Sequence, residues 1–280
     1  IHHRQDSIGN RPLRSIYFGG GTPTALPAAQ LVSLLQLLQA AWPIQASAEI
    51  TVEAHPSTVT PTDLKILADA GFTRISFGAE SMDESDFTSI GRPGRVRDTE
   101  IAVRSARNAG FANINLDLMY GLPGQSLDSW MSTVRSLLTL EPSHISCYAL
   151  TIEDGTKLSR NIALNLVQGT DDALQIDMES AAETLLAEAG FIRYEISNYA
   201  KPGFACSHNL LYWTDGDYLG LGPSAQSYVQ GVRFGNVADL TAYMDRLTAH
   251  QLPITERTSL SDNEQQRDAL VFGLRLLRGV

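Results

Sequence analysis

The chain has 280 residues, 43% of them hydrophobic, and a formal net charge of −10. This size allows a large buried core, and the acidic balance argues against nucleic acid as a main partner because phosphate contacts need clustered lysine and arginine. No apolar run approaches the roughly 20 residues that a spanning helix needs, so no transmembrane segment is predicted, and weak peripheral contact with a membrane stays open.

Strand and helix candidates alternate along the first two thirds of the chain. The strand candidates are 14–19, 48–53, 73–79, 112–118, 144–150 and 192–198. Helices are predicted from Pro27 to before Pro43, from Thr60-Pro61, and over 97–109, 127–139 and 171–189, the last entered by Thr170. Three of these helices end in Ala-Gly-Phe, which is typical of a glycine cap before a strand. The alternation predicts a parallel sheet covered by helices.

Several strand candidates have one polar and one apolar face. Asn113, Asn115 and Asp117 alternate with apolar residues, and the same pattern recurs over 49–54 and 74–80. A doubly wound sheet would be apolar on both faces, and an ordinary (β/α)8 barrel fills its interior with aliphatic side chains. We therefore predict an incomplete TIM-type (β/α) barrel whose interior holds a polar ligand.

The pattern changes after Tyr199, where proline and glycine become frequent and shorter, irregular strands are expected. We predict a partial βα barrel over residues 1–199 and a smaller α+β appendage over 200–280. Ser261, with Glu264 three residues later, predicts a capped helix in this appendage. A start at Ile1 and an end directly after that helix indicate a fragment, with a first strand and its loop expected before Ile1.

Candidate ligand-binding residues follow the strands. The first strand runs into Gly19-Gly20-Gly21-Thr22, three strands end in Glu53, Glu80 and Asp117, and Arg92 follows the third. Together these groups suit a zwitterion joined to a sugar, because acids can bind an ammonium group and ribose hydroxyls while arginine binds a carboxylate. An internal salt-bridge network is the alternative.

Six motifs are distributed along the chain between residues 18 and 213. They are F-G-G-G-T-P-T at 18–24, R-I-S-F-G-A-E-S at 74–81, D-L-M-Y-G-L-P-G-Q at 117–125, H-I-S-C-Y-A-L at 144–150, E-I-S-N-Y-A at 195–200 and H-N-L-L-Y-W at 208–213. The set resembles the radical S-adenosylmethionine (SAM) family, in the branch of oxygen-independent coproporphyrinogen III oxidases and the related haem chaperones. The last motif is similar to the H-N-x-x-Y-W signature of the chaperones of the HemW type.

The resemblance implies a set of SAM-binding residues. It places the methionyl amino group against Gly20, Gly21 and Thr22 near Glu53, the carboxylate at Arg92, and the ribose hydroxyls at Asp117 and Glu80. The family usually has Gln where this chain has Glu80. A carboxylate accepts hydrogen bonds but cannot donate them as an amide does, so weaker or rearranged binding is expected there.

The resemblance also implies a [4Fe–4S] cluster, held in the family by three closely spaced cysteines. Cys147 and Cys206 do not match that motif, and we expect the cluster ligands to lie before Ile1 rather than to be absent from the protein. Cys147 is predicted to be a small core residue, and Cys206 a buried residue or a thiolate ligand. Two cysteines form no disulfide framework, which favours a reducing cytoplasm.

The last motif suggests a haem site, in a loop that the sequence predicts to be polar. Imidazole is a common axial ligand of haem iron, so His208 is the candidate ligand, with Asn209, Tyr212 and Trp213 beside the macrocycle, and a hydrogen-bonded structural role for His208 is the alternative. Two functions stay open. One is a haem chaperone that transfers haem to an acceptor protein and draws on an electron donor; the other is an enzyme that decarboxylates two propionates of coproporphyrinogen III. No residue is assigned a catalytic role.

Overall fold

The computed structural model describes residues 1, 4–91, 94–169, 171–214 and 216–279. The chain divides into two compact units. The barrel unit comprises Tyr17–Val32 and Ile50–Ala205, and the appendage unit comprises Ile1–Ile16, Ser33–Glu49 and Cys206–Val280. Two N-terminal segments therefore belong to the same unit as the C-terminal part.

The described residues form the following helices and strands. The strands are β1 (Leu13–Phe18), β2 (Ile44–Ala54), β3 (Arg74–Glu80), β4 (Asn113–Tyr120), β5 (His144–Ala149), β6 (Ile192–Arg193), β7 (Asn198–Ala200), β8 (Gln226–Val229), β9 (Val232–Asn236) and β10 (Ile254–Ser259). The helices are α1 (Gln5–Ile8), α2 (Ala28–Ala41), α3 (Pro61–Asp69), α4 (Glu84–Ile90), α5 (Val96–Ala109), α6 (Leu127–Leu138), α7 (Lys157–Ala163), α8 (Asp172–Glu188), α9 (Ser207–Trp213), α10 (Leu240–Thr248) and α11 (Asp262–Gly273).

The larger sheet has the strand order β1-β2-β3-β4-β5-β7-β6. Strands β2 to β5 pair in parallel, so the predicted parallel sheet is confirmed over these strands, and the fold is an incomplete (β/α) barrel. The side chains on one face are fully buried, as at Val52, Ile75, Leu116 and Ile145, each 0% exposed. Helices α3, α5, α6 and α8 supply the matching apolar side chains, because period-2 strands and period-3.6 helices each present one apolar face.

Local signals in the sequence account for several helix ends. Thr60 and Asp63 form the capping box of α3, and Ser261 and Glu264 form that of α11. Each box satisfies backbone N–H groups that have no partner within the helix. At the end of α5, Gly110 adopts φ 110°, a left-handed conformation that favours glycine. Thr170, expected at the start of α8, lies outside the described residues.

The sixth predicted strand, over residues 192–198, is wrong as a single parallel strand. The chain instead forms β6 and β7, which pair antiparallel with each other, and β7 pairs antiparallel with β5. Glu195 stabilises the reversal of chain direction between β6 and β7. It is 0% exposed and accepts hydrogen bonds from Ser197 N at 2.9 Å and Asn198 Nδ2 at 2.5 Å. The alternation of polar and apolar residues does not indicate a turn that depends on hydrogen bonds to a side chain.

The appendage unit contains an antiparallel sheet of order β10-β9-β8 together with α9, α10 and α11. The expected loop around the H-N-L-L-Y-W motif is wrong, because residues Ser207–Trp213 form helix α9. Glu49 stabilises the start of this helix, since its carboxylate accepts from Ser207 N and His208 N, both at 3.1 Å. The appendage is thus α+β, as predicted.

Across the described part of the chain, no helix combines the length and apolar character that crossing a membrane demands.

Packing of the barrel unit gives a stability prediction. Leu116 lies on the helix-covered face of the sheet and is 0% exposed, so Leu116→Ala leaves a cavity and should lower the free energy of unfolding by about 2–5 kcal/mol. Leu166, 70% exposed, is the matched control, and Leu166→Ala should change it by less than about 0.5 kcal/mol. Urea denaturation measures both, and equal effects would show that this face is not the core.

Candidate functional site

In-register pairing aligns the polar residues of neighbouring strands on the second face of the barrel sheet. Glu53 lies beside Ser76, Ser76 beside Asn115, and Asn115 beside His144. Buried members of this face include Thr51, Arg74, Ser76 and Asn115, which are 0–3% exposed, whereas Glu53 and Asp117 remain partly exposed. The two carboxylates are therefore partly accessible from this face.

Glu53 ends β2 and holds the turn that follows β1. Its Oε1 accepts from the Tyr17 hydroxyl at 2.7 Å, and its Oε2 accepts from Gly20 N at 3.1 Å. A Cβ at Gly19 would lie 2.6 Å from Tyr17 Cε1 and 3.0 Å from the Glu53 carboxyl carbon, so only glycine fits between them. Burial raises the pKa of the Glu53 carboxyl, and the two hydrogen bonds oppose that shift.

The glycine turn itself exposes backbone. Gly20 and Gly21 have φ of 83° and 87°, and both residues and Thr22 are exposed. Left-handed backbone of this kind is accessible to glycine without steric cost. The turn thus presents peptide groups beside Glu53, as the sequence predicted for Gly20.

Asp117 is held by a chain of hydrogen bonds that runs from β4 to β5 and on to Tyr194, which lies between β6 and β7. Asn115 Nδ2 donates to Asp117 Oδ1 at 2.7 Å, and Asn115 Oδ1 lies 2.5 Å from His144 Nδ1. The amide oxygen can only accept, so His144 Nδ1 carries the proton and Nε2 accepts from the Tyr194 hydroxyl at 2.8 Å. This chain fixes the carboxylate in one orientation.

Burial dominates the electrostatics of this face. Arg74 is 1% exposed, and its charge has a smaller effect on both Glu53 and Asp117. Burial is the main cause that raises the pKa of Asp117, while hydrogen bonds from Ser146 and Asn115 and the Arg74 charge oppose it. A cation placed beside the two carboxyl groups would favour their charged forms.

Glu80 differs from the other predicted carboxylates. The β3–β4 register shifts between Gly78 and Glu80, and Glu80 adopts φ 61° with 4% exposure. This bulge breaks the alternation that placed Glu80 on the same face as Arg74 and Ser76. The position of the side chain is therefore set by the bulge and not by the strand period. Arg92, the predicted carboxylate ligand, lies outside the described residues.

Two of the motifs meet in a structural network. Gln125 Oε1 accepts from Gly121 N at 2.9 Å, and Gln125 Nε2 donates to Asp86 Oδ2 at 3.0 Å. Ser81 Oγ donates to the same Asp86 oxygen at 2.5 Å. Ser81 and Gln125 thus join the loop after β3 to the loop after β4, which explains these motif positions without a ligand.

In the appendage unit, His208 is hydrogen bonded at both ring nitrogens. Its Nδ1 lies 2.9 Å from Ser15 Oγ, and its Nε2 lies 3.0 Å from the Tyr212 hydroxyl. Tyr212 and Trp213 line one cavity, and Asn209 is half-buried on the same helix. These bonds are those of a structural histidine, so iron ligation through Nε2 requires release of the bond to Tyr212.

The cysteines do not form a cluster site. Cys147 is buried in β5, and Cys206 is buried and donates from Sγ to Glu49 Oε1 at 3.3 Å. Among the residues described by the structure, no group of three or more His, Cys, Asp or Glu side chains is arranged to hold a metal ion. Within the described ranges, the side chains therefore do not fit a [4Fe–4S] cluster.

Comparison with known proteins defines the class. Residues 3–137 match the radical SAM superfamily. The solved structure of coproporphyrinogen III oxidase (HemN) from Escherichia coli, described as a radical SAM enzyme, aligns with a TM-score of 0.86 at 23% identity, over 98% of this chain and 66% of that one. This likeness shows that the fold is that of a radical SAM barrel protein.

The sequence relatives define the family. The chain is 33% identical over 273 residues to the heme chaperone HemW of Bacillus subtilis, covering 97% of this chain and 72% of that protein. It is 40% identical over 219 residues to the heme chaperone HemW of Escherichia coli, covering 78% of this chain and 57% of that protein. The chain belongs to the HemW family.

The buried histidine gives a pH prediction. Burial, with a smaller effect of Arg74, holds the pKa of His144 well below its usual range, so below pH 6.5 the unfolded chain binds a proton that the folded chain does not. Stability should therefore fall as the pH drops below 6.5, by about 1.4 kcal/mol per pH unit from this residue. His144→Gln should remove that contribution.

Urea denaturation of the wild type and His144→Gln between pH 7 and 5 measures the difference in slope. Glu53 and Asp117, whose raised pKa values act in the opposite direction, are present in both proteins. His250→Gln removes an exposed histidine as the control. Parallel curves for wild type and His144→Gln would contradict a buried neutral imidazole.

Proposed function

We propose that this chain acts as a haem chaperone, with haem as its cargo and SAM as its cofactor. The observation that carries the proposal is family membership combined with the H-N-L-L-Y-W sequence on helix α9, where His208, Tyr212 and Trp213 lie together. His208 is the axial ligand candidate, and Asn209 belongs to the same motif. Flat aromatic side chains beside an imidazole suit a macrocycle that carries iron.

The barrel unit supplies groups that fit SAM. The sulfonium and ammonium groups are cationic, and the carboxyl groups of Glu53 and Asp117 can offset that charge. Glu53 still has lone pairs beyond the bonds from Tyr17 and Gly20, and it lies beside the exposed turn of Gly20, Gly21 and Thr22. These residues would bind the methionyl end.

Residues on and after the neighbouring strands would bind the rest of the cofactor. Asp117 would accept hydrogen bonds from the ribose hydroxyls, with its orientation already fixed by Asn115. Glu80 and Arg92 keep the roles that the family resemblance implies, at the ribose and at the carboxylate. Bound SAM would supply adenosyl radical chemistry when a cluster reduces it. The described residues provide no ligand set for such a cluster.

The oxidase alternative has no specific support in the site. The likeness to coproporphyrinogen III oxidase is one of fold, at 23% identity. The relatives from Bacillus subtilis and Escherichia coli are heme chaperones by name, and the H-N-L-L-Y-W motif agrees with that function. Haem binding is therefore the function that should be measured first.

The SAM site is tested by Asp117→Ala. Loss of hydrogen bonds to a charged acceptor should weaken SAM binding by about tenfold or more, measured by equilibrium dialysis with labelled SAM. Asp128→Ala, which removes an exposed carboxylate from the first turn of α6, is the control and should bind as the wild type does. Equal affinities of the two variants would remove Asp117 from the site.

The haem site is tested by His208→Ala. Added hemin should give the wild type an intense Soret band typical of imidazole-ligated iron, and the variant should lose or shift this band because the axial ligand is missing. His250→Ala, an exposed histidine of the same unit, should leave the spectrum unchanged. A wild-type spectrum in His208→Ala would assign His208 to its hydrogen bonds with Ser15 and Tyr212 alone.

A further inference from the structure

A cavity of about 210 Å³ lies in the appendage unit, next to helix α9. Aromatic side chains and one arginine make up most of its wall. The lining residues are Tyr212, Trp213, Gly216, Tyr218, Tyr228, Arg233 and Phe272. Sites for whole small molecules are usually about 300–1,000 Å³, so this cavity is sized for one edge of a larger planar ligand.

The aromatic rings are set at steep angles to one another. Tyr212 and Tyr218 meet edge to face at a centroid distance of 4.6 Å, and Trp213 lies 6.5 Å from Phe272. Tyr228 lies 6.4 Å from Tyr218. Offset and T-shaped contacts of this kind leave ring faces that can take up a further flat group.

Arg233 brings positive charge to this aromatic wall. Its guanidinium lies 5.3 Å from the Phe272 ring centre and 5.8 Å from that of Tyr228. Its Nη2 is 3.1 Å from Asp268 Oδ2, and the same carboxylate lies 3.8 Å from Arg267 Nε. The Asp268 carboxylate is thus shared by two arginines. The Arg233 side chain is 38% exposed and has N–H donors with which it can bind a second anion.

Trp213 adds a large aromatic ring to the same wall. Its Nε1 is buried and offers no surface to a ligand, and Arg275 stacks on the ring at 4.4 Å. The wall therefore combines aromatic rings with the charged donor of Arg233.

Resting on the proposed haem function, we propose that this cavity binds a carboxylate-bearing edge of the tetrapyrrole, with a propionate held by Arg233. Tyr212 connects this site to the axial ligand candidate, because it lines the cavity and its hydroxyl lies 3.0 Å from His208 Nε2. Arg233 is thus a specificity residue that selects tetrapyrroles with free carboxylates, independently of the iron.

The test separates the carboxylate from the iron. Metal-free protoporphyrin IX and its dimethyl ester, in the same dilute detergent, are titrated into the wild type and Arg233→Gln, with binding followed by porphyrin fluorescence. The free acid should bind the wild type about tenfold more tightly than it binds Arg233→Gln, since a charge-assisted bond is lost. The ester should bind both proteins equally and weakly.

Arg257→Gln is the matched control, because Arg257 is exposed on the neighbouring strand β10 of the same sheet and does not line the cavity. Equal binding of acid and ester to the wild type would overturn the proposal without any variant. Equal losses in Arg233→Gln and Arg257→Gln would also overturn it, since they would reflect net charge alone.

Hemin titrations of the same proteins distinguish this proposal from the haem function itself. Hemin binding that does not depend on Arg233 would overturn the propionate site and leave the haem function standing. Absent hemin binding to the wild type, with Arg233-dependent binding of protoporphyrin IX, would overturn the haem function and support the carboxylate site. Absence of binding by both ligands would overturn both.

Discussion

The parallel register of strands β2 to β5 is the constraint on which the barrel unit depends. It sets Glu53, Ser76, Asn115 and His144 in one row across the sheet and leaves the alternate residues to the helices. Because the side-chain period is two, a slip of one residue would move every polar group into the apolar layer. Apolar burial on one face therefore also positions the polar groups on the other.

Burial of carboxyl groups on the polar face costs free energy. Burial raises the pKa of Glu53 and Asp117, so the charged forms are disfavoured until a cation compensates them. The chain from Tyr194 through His144 and Asn115 to Asp117 satisfies the groups that no ligand reaches. The same bonds hold the carboxylate in one orientation, so the Asp117 side chain would lose little conformational entropy if a ligand bound there.

In the appendage unit, too, some residues stabilise the structure and others are candidates for ligand binding. Glu49, on the polar face of β2 by its period, stabilises the start of α9, and Ser15 orients His208. The far end of α9 meets the aromatic cavity through Tyr212 and Trp213. A short helix thus carries both the ligand candidate for the iron and part of the wall that we assign to the macrocycle edge.

The sequence by itself determined the alternating strands and helices, the capping boxes at Thr60 and Ser261, and the family, because these depend on neighbouring residues and on short motifs. It also placed Gly20 with Glu53. Only the tertiary structure decided the rest: the turn at Glu195, the bulge before Glu80, the cap that Glu49 gives to α9, and the buried charge of Arg74. These features arise from contacts that depend on the sheet and on residues far apart in the chain, which no local period encodes.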